Sequence, residues 1–513
     1  MYPGIHAQNN PDRLAVVLAD SDRSLTYRQL DDNSAALARV LHDAGLRRGD
    51  VVALLSDNAV EAFEVFWATQ RSGLFITAVN RHLSAEEVTY IVQDSGAKAL
   101  IVSATLGELG TEVGARIDSL STRLAFGGAV DGFDSYAAAL SAAGARLDEE
   151  PAGAIMLYSS GTTGFPKGVK SQMAEGSIAE NPDPLFPLAK FVFGITEEDV
   201  YLSSAPIYHA APLRWGGIIH AIGGTVVIAK KFDPEESLRH IEQYKITASQ
   251  MVPTMLVRIL KLDDASRTRH DLSTLRVLIH AAAPCPPDVK RAMIDWLGPI
   301  VYEYYSSTEA NGVSFINSTD WLEHPGSVGR CVLGTVHICD DDGNELPTGE
   351  IGTVYFERDH LPFSYHNAPE KTAAAQHPEN PYWTAVGDVG YLDEDGFLYL
   401  TDRKSFMIIS GGVNIYPQEV ENVLALHPSV LDVAVIGVPD AEMGEQVKAV
   451  VQVAPGIEES DVLAQKLIDY VRERIAHYKA PRSVDFVDEL PRTPTGKLVK
   501  GKLRDTYLAA PAS

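Results

Sequence analysis

The segment that decides the fold is residues 158–169, which read YSSGTTGFPKGV. It contains serines, threonines, three glycines and one charged residue, Lys167. Glycines let backbone N–H groups approach an anion without a Cβ in the way, and hydroxyls and an ammonium add further donors. The composition therefore indicates either a loop that binds a polyphosphate or an ordinary surface loop, since clusters of Ser, Thr, Gly and Pro are typical of loops.

The segment does not match the familiar phosphate-binding pattern G-x-x-x-x-G-K-[ST]. Counted from Gly161, that pattern requires glycine at position 166 and serine or threonine at position 168. The sequence has Pro166 and Gly168 there. Other parts of the chain must therefore decide between a phosphate site of another kind and a plain loop.

The bulk composition limits the kinds of partner. The chain has 513 residues, more than one hydrophobic core normally serves, so we expect at least two domains. Its formal net charge is −26, with 69 acidic residues against 43 basic ones. Such a balance argues against nucleic acid or an anionic membrane surface as the main partner. It also requires any nucleotide site to be locally positive.

The cysteines and the apolar segments indicate the compartment. Cys285, Cys331 and Cys339 are odd in number and form no C-x-x-C pair, which is typical of a reduced, cytoplasmic protein. The N-terminus lacks the apolar core of a signal peptide. The stretch from Trp215 to Ala229 is too short to span a bilayer. We expect a cytoplasmic protein without a transmembrane segment; peripheral membrane contact and a homodimer stay open.

Periodicity in the first part of the chain indicates alternating helices and strands. Thr26-x-x-Gln29 and Ser84-x-x-Glu87 are capping boxes that begin helices. Val51–Leu55 and Ala99–Val102 are typical of buried strands. The alternation returns at 237–260 and 275–282. This pattern predicts an α/β fold with two doubly wound subdomains built on parallel sheets.

The pattern of predicted secondary structure changes twice towards the C-terminus. Residues 326–402 contain short strands around the turns Asp342-Gly343 and Asp395-Gly396, which predict hairpins in a small, β-barrel-like region. Beyond 402 the pattern predicts a helix at 417–426, strands at 430–438 and 447–453, and a helix at 461–476. We therefore expect an N-terminal domain of residues 1–402 and a small α+β domain of residues 403–513.

Six further motifs accompany YSSGTTGFPKGV in a fixed order. Together the seven motifs resemble the signature of the acyl-adenylate-forming superfamily, which comprises acyl-CoA synthetases, adenylation domains and beetle luciferases. The resemblance covers nearly the whole chain, and it implies a large AMP-binding domain followed by a mobile C-terminal domain. The six are APIYHAAP at 205–212, AAAP at 281–284, YSSTE at 305–309, GDVGYLDEDG at 387–396, TDRKSFMIISGGVNIYP at 401–417 and PRTPTGK at 491–497.

The resemblance implies a two-step reaction. A carboxylate attacks the α-phosphate of ATP and releases pyrophosphate, and the thiol of CoA then attacks the acyl-AMP. Because two anions meet in the first step, positive charge must stand where negative charge develops. The resemblance implies that Thr162 and Glu309 hold Mg²⁺. It assigns the β- and γ-phosphates to the loop residues Ser159, Ser160, Gly161, Thr162, Thr163, Gly164 and Lys167.

The rest of the nucleotide site is implied in the same way. Tyr305 would be the platform for adenine, with Ala282–Pro284 (Ala282, Ala283 and Pro284) along its edge and Ser307 and Thr308 beside it. Asp388 would accept the ribose hydroxyls, and Arg403 would add a donor. A core tyrosine and a turn-capping aspartate are the plainer interpretations of Tyr305 and Asp388.

The resemblance also implies a moving catalytic lysine. Lys497 would bridge the substrate carboxylate and the α-phosphate in one orientation of the C-terminal domain. Rotation about a hinge at Arg403 and Lys404 would then withdraw Lys497 and bring Gly411 and Gly412 to the pantetheine tunnel. Alternation of this kind keeps water away from the adenylate.

The acid is expected to be hydrophobic. The resemblance places His209 at the wall between the acyl pocket and the thiol entrance, and we expect Leu213, Trp215 and Ala281 to line the pocket. Residues 205–212 contain no carboxylate, so an amino acid, whose ammonium would be buried unpaired, is not expected. Arg214 is either structural or a partner for a polar group on the acid. We expect a fatty, alicyclic or polycyclic acid.

Three departures from the superfamily pattern affect nucleotide affinity and leave the reaction class unchanged. Ser306 replaces a usual glycine, Val386 replaces a usual threonine, and the AAAP motif lacks its usual glycine. The alternative activities are an enzyme that loads a separate carrier protein, a luciferase-type oxygenase and a nucleotide-binding sensor. Retention of Lys497, Glu309 and Asp388 together argues against a sensor.

Overall fold

The computed structural model describes residues 2–159, 166–403, 406–411, 413–440, 442–492 and 498–509. The first 203 residues alternate helix and strand as predicted. Their elements are α1 (Pro3–Asn9), β1 (Leu14–Leu18), β2 (Ser24–Thr26), α2 (Tyr27–Asp43), β3 (Val51–Leu55), α3 (Glu61–Gln70), β4 (Phe75–Val79), α4 (Ala85–Asp94), β5 (Ala97–Ser103), α5 (Gly107–Ala115), β6 (Thr122–Phe126), β7 (Asp134–Ser135), α6 (Tyr136–Ser141), β8 (Ala154–Ser159), β9 (Lys167–Ser171) and β10 (Val200–Ser203).

The alternation continues through the middle of the chain and gives way to short strands. The middle elements are α7 (Ala210–Ile222), β11 (Thr225–Ile228), α8 (Pro234–Gln243), β12 (Ala248–Met251), α9 (Pro253–Leu260), α10 (Asp264–Arg267), β13 (Val277–His280), α11 (Pro287–Leu297), β14 (Val301–Tyr305), β15 (Val313–Ile316), α12 (Ser318–Glu323) and β16 (Arg330–Leu333). The strand-rich part contains β17 (Thr335–Cys339), β18 (Gly352–Glu357), β19 (Phe363–Tyr365), α13 (Pro369–Ala374), β20 (Trp383–Thr384), β21 (Asp388–Leu392) and β22 (Leu398–Arg403).

The C-terminal part is a separate α+β arrangement. Its elements are β23 (Ile408–Ser410), β24 (Val413–Ile415), α14 (Pro417–Leu424), β25 (Val430–Asp440), β26 (Gly444–Val453), α15 (Asp461–Arg472), β27 (Ser483–Phe486) and α16 (Lys500–Ala509). The helix predicted at 461–476 ends earlier, at Arg472, because the backbone N–H groups of Arg474 and Ile475 both bond to the Val471 carbonyl and close the last turn.

The described strands form four sheets. The first has the order β19-β9-β8-β4-β3-β5-β6-β7, and the second β16-β15-β14-β13-β12-β10-β11-β1-β2. Both have a parallel centre; the second has antiparallel strands at both edges, and the first has them only at the β9 and β19 edge, since β7 pairs parallel with β6. The third sheet contains β17, β18, β20, β21 and β22 and includes the predicted β17–β18 and β21–β22 pairs, and the fourth contains β23–β27. The predicted α/β fold class is confirmed.

The two capping boxes predicted from the sequence are present in the structure. At the start of α2, Gln29 N donates to Thr26 Oγ1 and Thr26 N donates to Gln29 Oε1, at 3.2 and 2.8 Å. Ser84 and Glu87 make the same reciprocal pair at the start of α4. Each box satisfies two backbone donors that the first helical turn leaves without partners.

Helices α3 and α7 pack against each other in the largest hydrophobic core. Every residue of α3 after Glu61 is buried, and so is most of α7. A Cβ on Gly216 would lie 2.2 Å from Phe63 Cζ, so only glycine allows this approach. Both helices are therefore covered on several sides. Among the described helices, none combines the length and apolar character that a bilayer span requires.

His220 on α7 is buried within this core as a neutral imidazole. Its Nδ1 accepts a hydrogen bond from Trp67 Nε1 at 3.2 Å, and its Nε2 donates to the Ala15 carbonyl at 3.1 Å. Burial lowers the pKa of His220 to about 3. Because the unfolded chain takes up a proton near pH 6.5 and the folded chain does so only near pH 3, acid favours unfolding between these values.

We expect this histidine to make the fold acid-sensitive. As the pH falls below about 6.5, His220 should remove about 1.4 kcal/mol of stability per pH unit. Denaturant unfolding at pH 7.5 and pH 5.5 tests this in wild type and His220→Gln. The variant should be less stable at pH 7.5 and should lose less stability on acidification. Equal losses in the two proteins would contradict the assignment.

Candidate active site

The hairpin of β8 and β9 presents the phosphate-loop segment at the edge of the first sheet. Ser159 pairs with Lys167 and Tyr158 with Gly168, so the two strands close directly on the segment between them. The predicted phosphate ligands Ser160, Gly161, Thr162, Thr163 and Gly164 lie outside the described residues.

Asp94, at the end of α4, anchors this hairpin at its base. Tyr158 Oη donates to Asp94 Oδ2 at 2.6 Å, and burial together with this carboxylate raises the pKa of Tyr158. His366 Nε2 donates to the Asp94 carbonyl at 2.9 Å, and its backbone N–H bonds to Gly168 O at 2.8 Å. One residue therefore holds β8 and the segment that follows β19.

Lys167 and Glu309 come together through a third residue, Tyr365. The Tyr365 hydroxyl donates to Glu309 Oε1 at 2.8 Å, and Lys167 Nζ lies 5.4 Å from the centre of the Tyr365 ring. The YSSTE loop that carries Glu309 is itself fixed: Ser307 Oγ donates to Asn311 Oδ1 at 2.9 Å. The first and fourth motifs of the chain therefore meet at one place.

Tyr305 and Asp388 also lie together. Tyr305 Oη donates to Asp388 Oδ2 at 2.6 Å, and Asp388 is buried at the start of β21. The backbone of Asp388 pairs with that of Arg403, which brings the two predicted ribose ligands side by side. Lys404, the other predicted hinge residue, lies outside the described residues.

A cavity of about 950 Å³ opens at the carboxyl ends of the second sheet's parallel strands. Its walls include Tyr305, Ser307 and Asp388, and Ala281–Pro284 form one rim. The carboxyl ends of parallel strands are where α/β proteins bind their ligands. The cavity therefore brings together residues of the third, fourth and fifth motifs.

The C-terminal part closes one side of this cavity. Lys497 lies outside the described residues, but Arg492 and Leu498, which flank its segment, both line the cavity. Arg492 Nη2 donates to Asp432 Oδ1 at 2.6 Å and is fixed there. Across the boundary between the two parts, Lys261 Nζ donates to the Val430 carbonyl at 2.6 Å, and burial lowers the pKa of Lys261 to about 8.

The AMP-binding enzyme family matches residues 5–366, and its C-terminal domain matches residues 419–497. The chain belongs to this family. The motif-based assignment to the acyl-adenylate-forming superfamily is therefore confirmed, and so is its expected class, an AMP-forming ligase of the acyl-CoA synthetase type.

Curated relatives and a solved structure resemble this AMP-binding enzyme over its whole length. A feruloyl-CoA synthase from an Amycolatopsis species is 34% identical, covering 99% of this chain and 98% of its own. The long-chain-fatty-acid–CoA ligase FadD13 of Mycobacterium tuberculosis is 32% identical (98% and 96%). The fatty acid–[acyl-carrier-protein] ligase ScoC of Streptomyces coeruleorubidus is 31% identical (98% and 95%). ATP-bound MatB from Rhodopseudomonas palustris superposes with a TM-score of 0.83 at 29% identity, covering 99% of both chains.

Of the residues Leu213, Trp215 and Ala281, which are predicted to line the acyl pocket of this AMP-binding enzyme, only some line the described cavity. Ala281 lines it, but Leu213 and Trp215 are fully buried and are not among the described residues of the cavity wall. Trp215 Nε1 donates to Tyr304 Oη at 3.2 Å, behind the cavity surface. Both side chains are covered by α3 and by the second sheet, and their place in the acyl pocket stays a prediction.

His209 and Arg214 occupy the two ends of the first turn of α7. His209 is the N-terminal cap residue, half-buried, with its ring 4.5 Å from that of Tyr208. Arg214 Nε donates to Asp183 Oδ2 at 2.9 Å and Nη2 donates to Oδ1 at 3.3 Å. Of the two alternatives for Arg214, the structure shows the ion pair with Asp183.

Gly411 lies away from the cavity in the AMP-binding enzyme. Its φ is +58° and its N–H bonds to Met443 O at 2.8 Å, while a Cβ would lie 2.3 Å from Met443 Cε. Only glycine suits this position. Gly411 is not among the described residues that line the cavity, and Gly412 lies outside the described residues.

Sequence reasoning missed a buried ionic cluster next to the Ala281–Pro284 rim of the cavity. Lys290 on α11 is fully buried, and its Nζ donates to Glu303 Oε2 at 2.6 Å. His280 Nε2 lies 3.5 Å from the same oxygen, and the Trp321 ring centre lies 5.0 Å from Lys290 Nζ. The available signal was Lys290 itself, which interrupts the apolar stripe of α11 formed with Val289 and Met293.

Ala282 adopts a backbone conformation that disfavours alanine. Its φ is +75°, which costs a residue with a Cβ about 1–2 kcal/mol relative to glycine. Ala282→Gly should therefore recover this energy and offset the greater flexibility of glycine in the unfolded chain. Ala283→Gly is the matched control, because the φ of Ala283 is not positive.

We expect Ala282→Gly to be more stable than Ala283→Gly by about 1 kcal/mol in denaturant unfolding. Two variants of equal stability would show that the rim carries no such strain.

Proposed function

We propose that this enzyme joins a hydrophobic monocarboxylic acid to CoA through an acyl-AMP intermediate, with Mg²⁺ assisting the first step. The observation that carries the proposal is the cavity: the Ala282–Pro284 rim, Tyr305 and Asp388 face the flanks of the Lys497 segment across it. Glu309 lies two residues after Ser307, which lines the cavity, and Tyr365 contacts both Glu309 and Lys167.

In this proposal the nucleotide is held at both ends. Adenine lies between Tyr305 and the Ala282–Pro284 rim. The ribose hydroxyls donate to Asp388, whose Oδ2 already accepts one hydrogen bond from Tyr305, so the carboxylate is oriented before ATP arrives. Arg403, paired with Asp388 through the backbone, adds a donor at the ribose. Preorientation of this kind lowers the entropic cost of binding.

The residues around the phosphates fit a hard cation. Glu309 supplies a carboxylate, Thr162 a hydroxyl, and ATP its phosphate oxygens, which are the donors that Mg²⁺ prefers. The bound ion would neutralise charge on the phosphates as pyrophosphate leaves. Ser159–Gly164 and Lys167 would hold the β- and γ-phosphates through N–H, hydroxyl and ammonium donors.

The proposed catalytic lysine is Lys497, which would bridge the attacking carboxylate and the α-phosphate. The chain divides, in this proposal, into residues 1–402 and a mobile domain of residues 403–513, with the hinge at Arg403 and Lys404. Rotation would replace Lys497 by Gly411 and Gly412 for the thiol step, with His209 at the wall between the acyl group and the thiol. The position of Gly411 away from the cavity supports two alternating orientations.

Cations on the cavity wall support CoA as the acceptor. Arg81, Lys230, Lys231 and Arg258 are among its lining residues, which also include acidic side chains such as Asp432 and Glu489. Individual cations of this kind can pair with phosphate groups in an otherwise repulsive field. CoA carries three phosphates, and its pantetheine arm would extend from them towards the adenylate.

The acid is proposed to be uncharged apart from its carboxylate. Residues 205–212 carry no carboxylate for an ammonium, and Arg214 is engaged by Asp183 rather than by a second acidic group of a substrate. The relatives are named for a long-chain fatty acid and for ferulate. A fatty, alicyclic or bulky ring-containing acid is therefore favoured, with a role in the metabolism of such acids. Its cysteine usage favours the cytoplasm.

The test is pyrophosphate release from ATP and Mg²⁺ across a panel of fatty, alicyclic, aromatic and amino acids, with and without CoA. The proposal expects release with at least one hydrophobic acid, none with amino acids, and faster turnover with CoA. Release triggered only by amino acids would contradict the proposed pocket.

A carrier protein is the second candidate acceptor of the acyl group, because one relative is named as a ligase for an acyl-carrier protein. In that case the acyl group would pass to a phosphopantetheine thiol on a separate protein. Replacing CoA by a holo-carrier protein in the same assay distinguishes the two. Acceleration by the carrier and none by CoA would favour the second acceptor.

A further inference from the structure

We propose that Tyr365 is a positioning residue that holds Glu309 and Lys167 apart and in place for ATP and its metal ion. The proposal rests on the proposed function of Glu309 and Lys167 and deepens it. Tyr365 stands outside all seven sequence motifs, and it does not line the cavity among the described residues.

Tyr365 reaches the site from the edge strand of the first sheet. β19 pairs antiparallel with β9, so that Tyr365 lies opposite Val169, two residues from Lys167. The backbone N–H of Tyr365 bonds to Thr372 Oγ1 at 2.9 Å, and its ring packs 5.2 Å from that of Phe363. The side chain is therefore fixed from the sheet and from α13 at once.

The two ends of the tyrosine interact with opposite charges. Its hydroxyl donates to Glu309 Oε1 at 2.8 Å, a hydrogen bond strengthened by the negative charge of the acceptor. Its ring lies 5.4 Å from Lys167 Nζ, within the range where an ammonium is attracted to an aromatic face. Among the ion pairs of the described residues, none joins Lys167 to Glu309.

This arrangement prevents a competing interaction. Lys167 and Glu309 contact the ring and the hydroxyl of the same tyrosine and carry opposite charges that attract, and a direct ion pair would neutralise the charges that the phosphates and the metal ion need. Tyr365 satisfies each charge with a weaker, neutral partner. Its bond to Oε1 also fixes the carboxylate rotation, so that Oε2 has one defined direction for a cation.

The two parts of the side chain can be separated by substitution. Tyr365→Phe removes the hydroxyl and keeps the ring, whereas Tyr365→Leu removes both. Tyr382→Phe, at a half-exposed tyrosine that is not among the described residues of the cavity wall, is the matched control for loss of a phenol. Thermal unfolding of each variant shows whether it folds.

Two readouts are measured. The first is the dissociation constant for ATP without divalent metal, by calorimetry. The second is the affinity for Mn²⁺ at saturating ATP, by electron paramagnetic resonance. Tyr365→Phe should leave metal-free ATP affinity within about twofold and weaken Mn²⁺ about tenfold, the effect of losing one charge-assisted hydrogen bond. Tyr365→Leu should weaken both, and the control should change neither.

A double variant tests the route of the effect. In a Glu309→Gln background, Tyr365→Phe should have no further effect on Mn²⁺ affinity, since the two residues act as one unit. The proposal is overturned if Tyr365→Phe leaves Mn²⁺ affinity unchanged, if it weakens metal-free ATP equally, or if its effect persists without Glu309. These are binding measurements, so they stand even if no acid in the panel releases pyrophosphate, which would instead count against the proposed function.

Discussion

Replacing Lys497 by alanine is expected to slow acyl-AMP formation at least 100-fold. The reason is that a carboxylate and the α-phosphate, both anionic, must approach each other, and one well-placed cation contributes about 3 kcal/mol to such a transition state. Arg492 and Leu498 on the cavity wall show that the flanks of this segment reach the site. The measurement is acid-dependent exchange of pyrophosphate into ATP.

The second half-reaction supplies the control for this prediction. With chemically made acyl-AMP and CoA, the same variant should retain most of its rate, because Lys497 is expected to leave the site before the thiol enters. Lys502→Ala, at an exposed lysine on α16, should change neither rate. If the Lys497 variant lost both half-reactions equally, the proposed alternation of the C-terminal domain would be wrong.

Replacing Lys290 by methionine is expected to cost about 3–5 kcal/mol of folding stability, because it leaves the buried Glu303 carboxylate without its cation. Lys290 is fully buried with its Nζ 2.6 Å from Glu303 Oε2, and burial raises the pKa of Glu303. Removal of the cation should raise that pKa further, so the variant should be least stable at alkaline pH. Denaturant unfolding between pH 6 and pH 9 measures both effects.

The double variant Lys290→Met with Glu303→Gln separates loss of the pair from loss of packing. It removes both charges, and we expect it to recover much of the stability that Lys290→Met loses. The pair fixes α11 to β14, which ends at Tyr305, and lies beside β13, which ends at the Ala281–Pro284 rim. Lys290→Met should therefore also weaken AMP binding. A double variant as unstable as the single one would show that packing around Lys290, and not its charge, holds this region.

Features that depend on neighbouring residues were predictable from the sequence. The caps at Thr26 and Ser84, the Asp395-Gly396 turn and the α/β alternation all formed, since each rests on local hydrogen bonds or on a periodic apolar face. The grouping of Tyr305 with Asp388 followed from the superfamily resemblance, because the motifs carry the site with them.

Features that depend on packing between distant segments were not predictable. The complete burial of Trp215 by α3 and the second sheet has no signal in the motif that precedes it. The partners of Arg214 and Glu309 are Asp183 and Tyr365, which no spacing rule connects to them. A single sequence records which side chains can pair but not which of them meet once the sheets assemble.

The Asp94 anchor has a mechanical consequence. Because Tyr158 and His366 both bind to Asp94, the β8–β9 hairpin, which we propose holds the phosphates, and the strand that carries Tyr365 form one stiff unit of the first sheet. The C-terminal part contacts other elements, such as α9 through Lys261. The rotation that we propose for that part would therefore move Lys497 and Gly411 while the β8–β9 hairpin and Tyr365 keep their positions relative to each other.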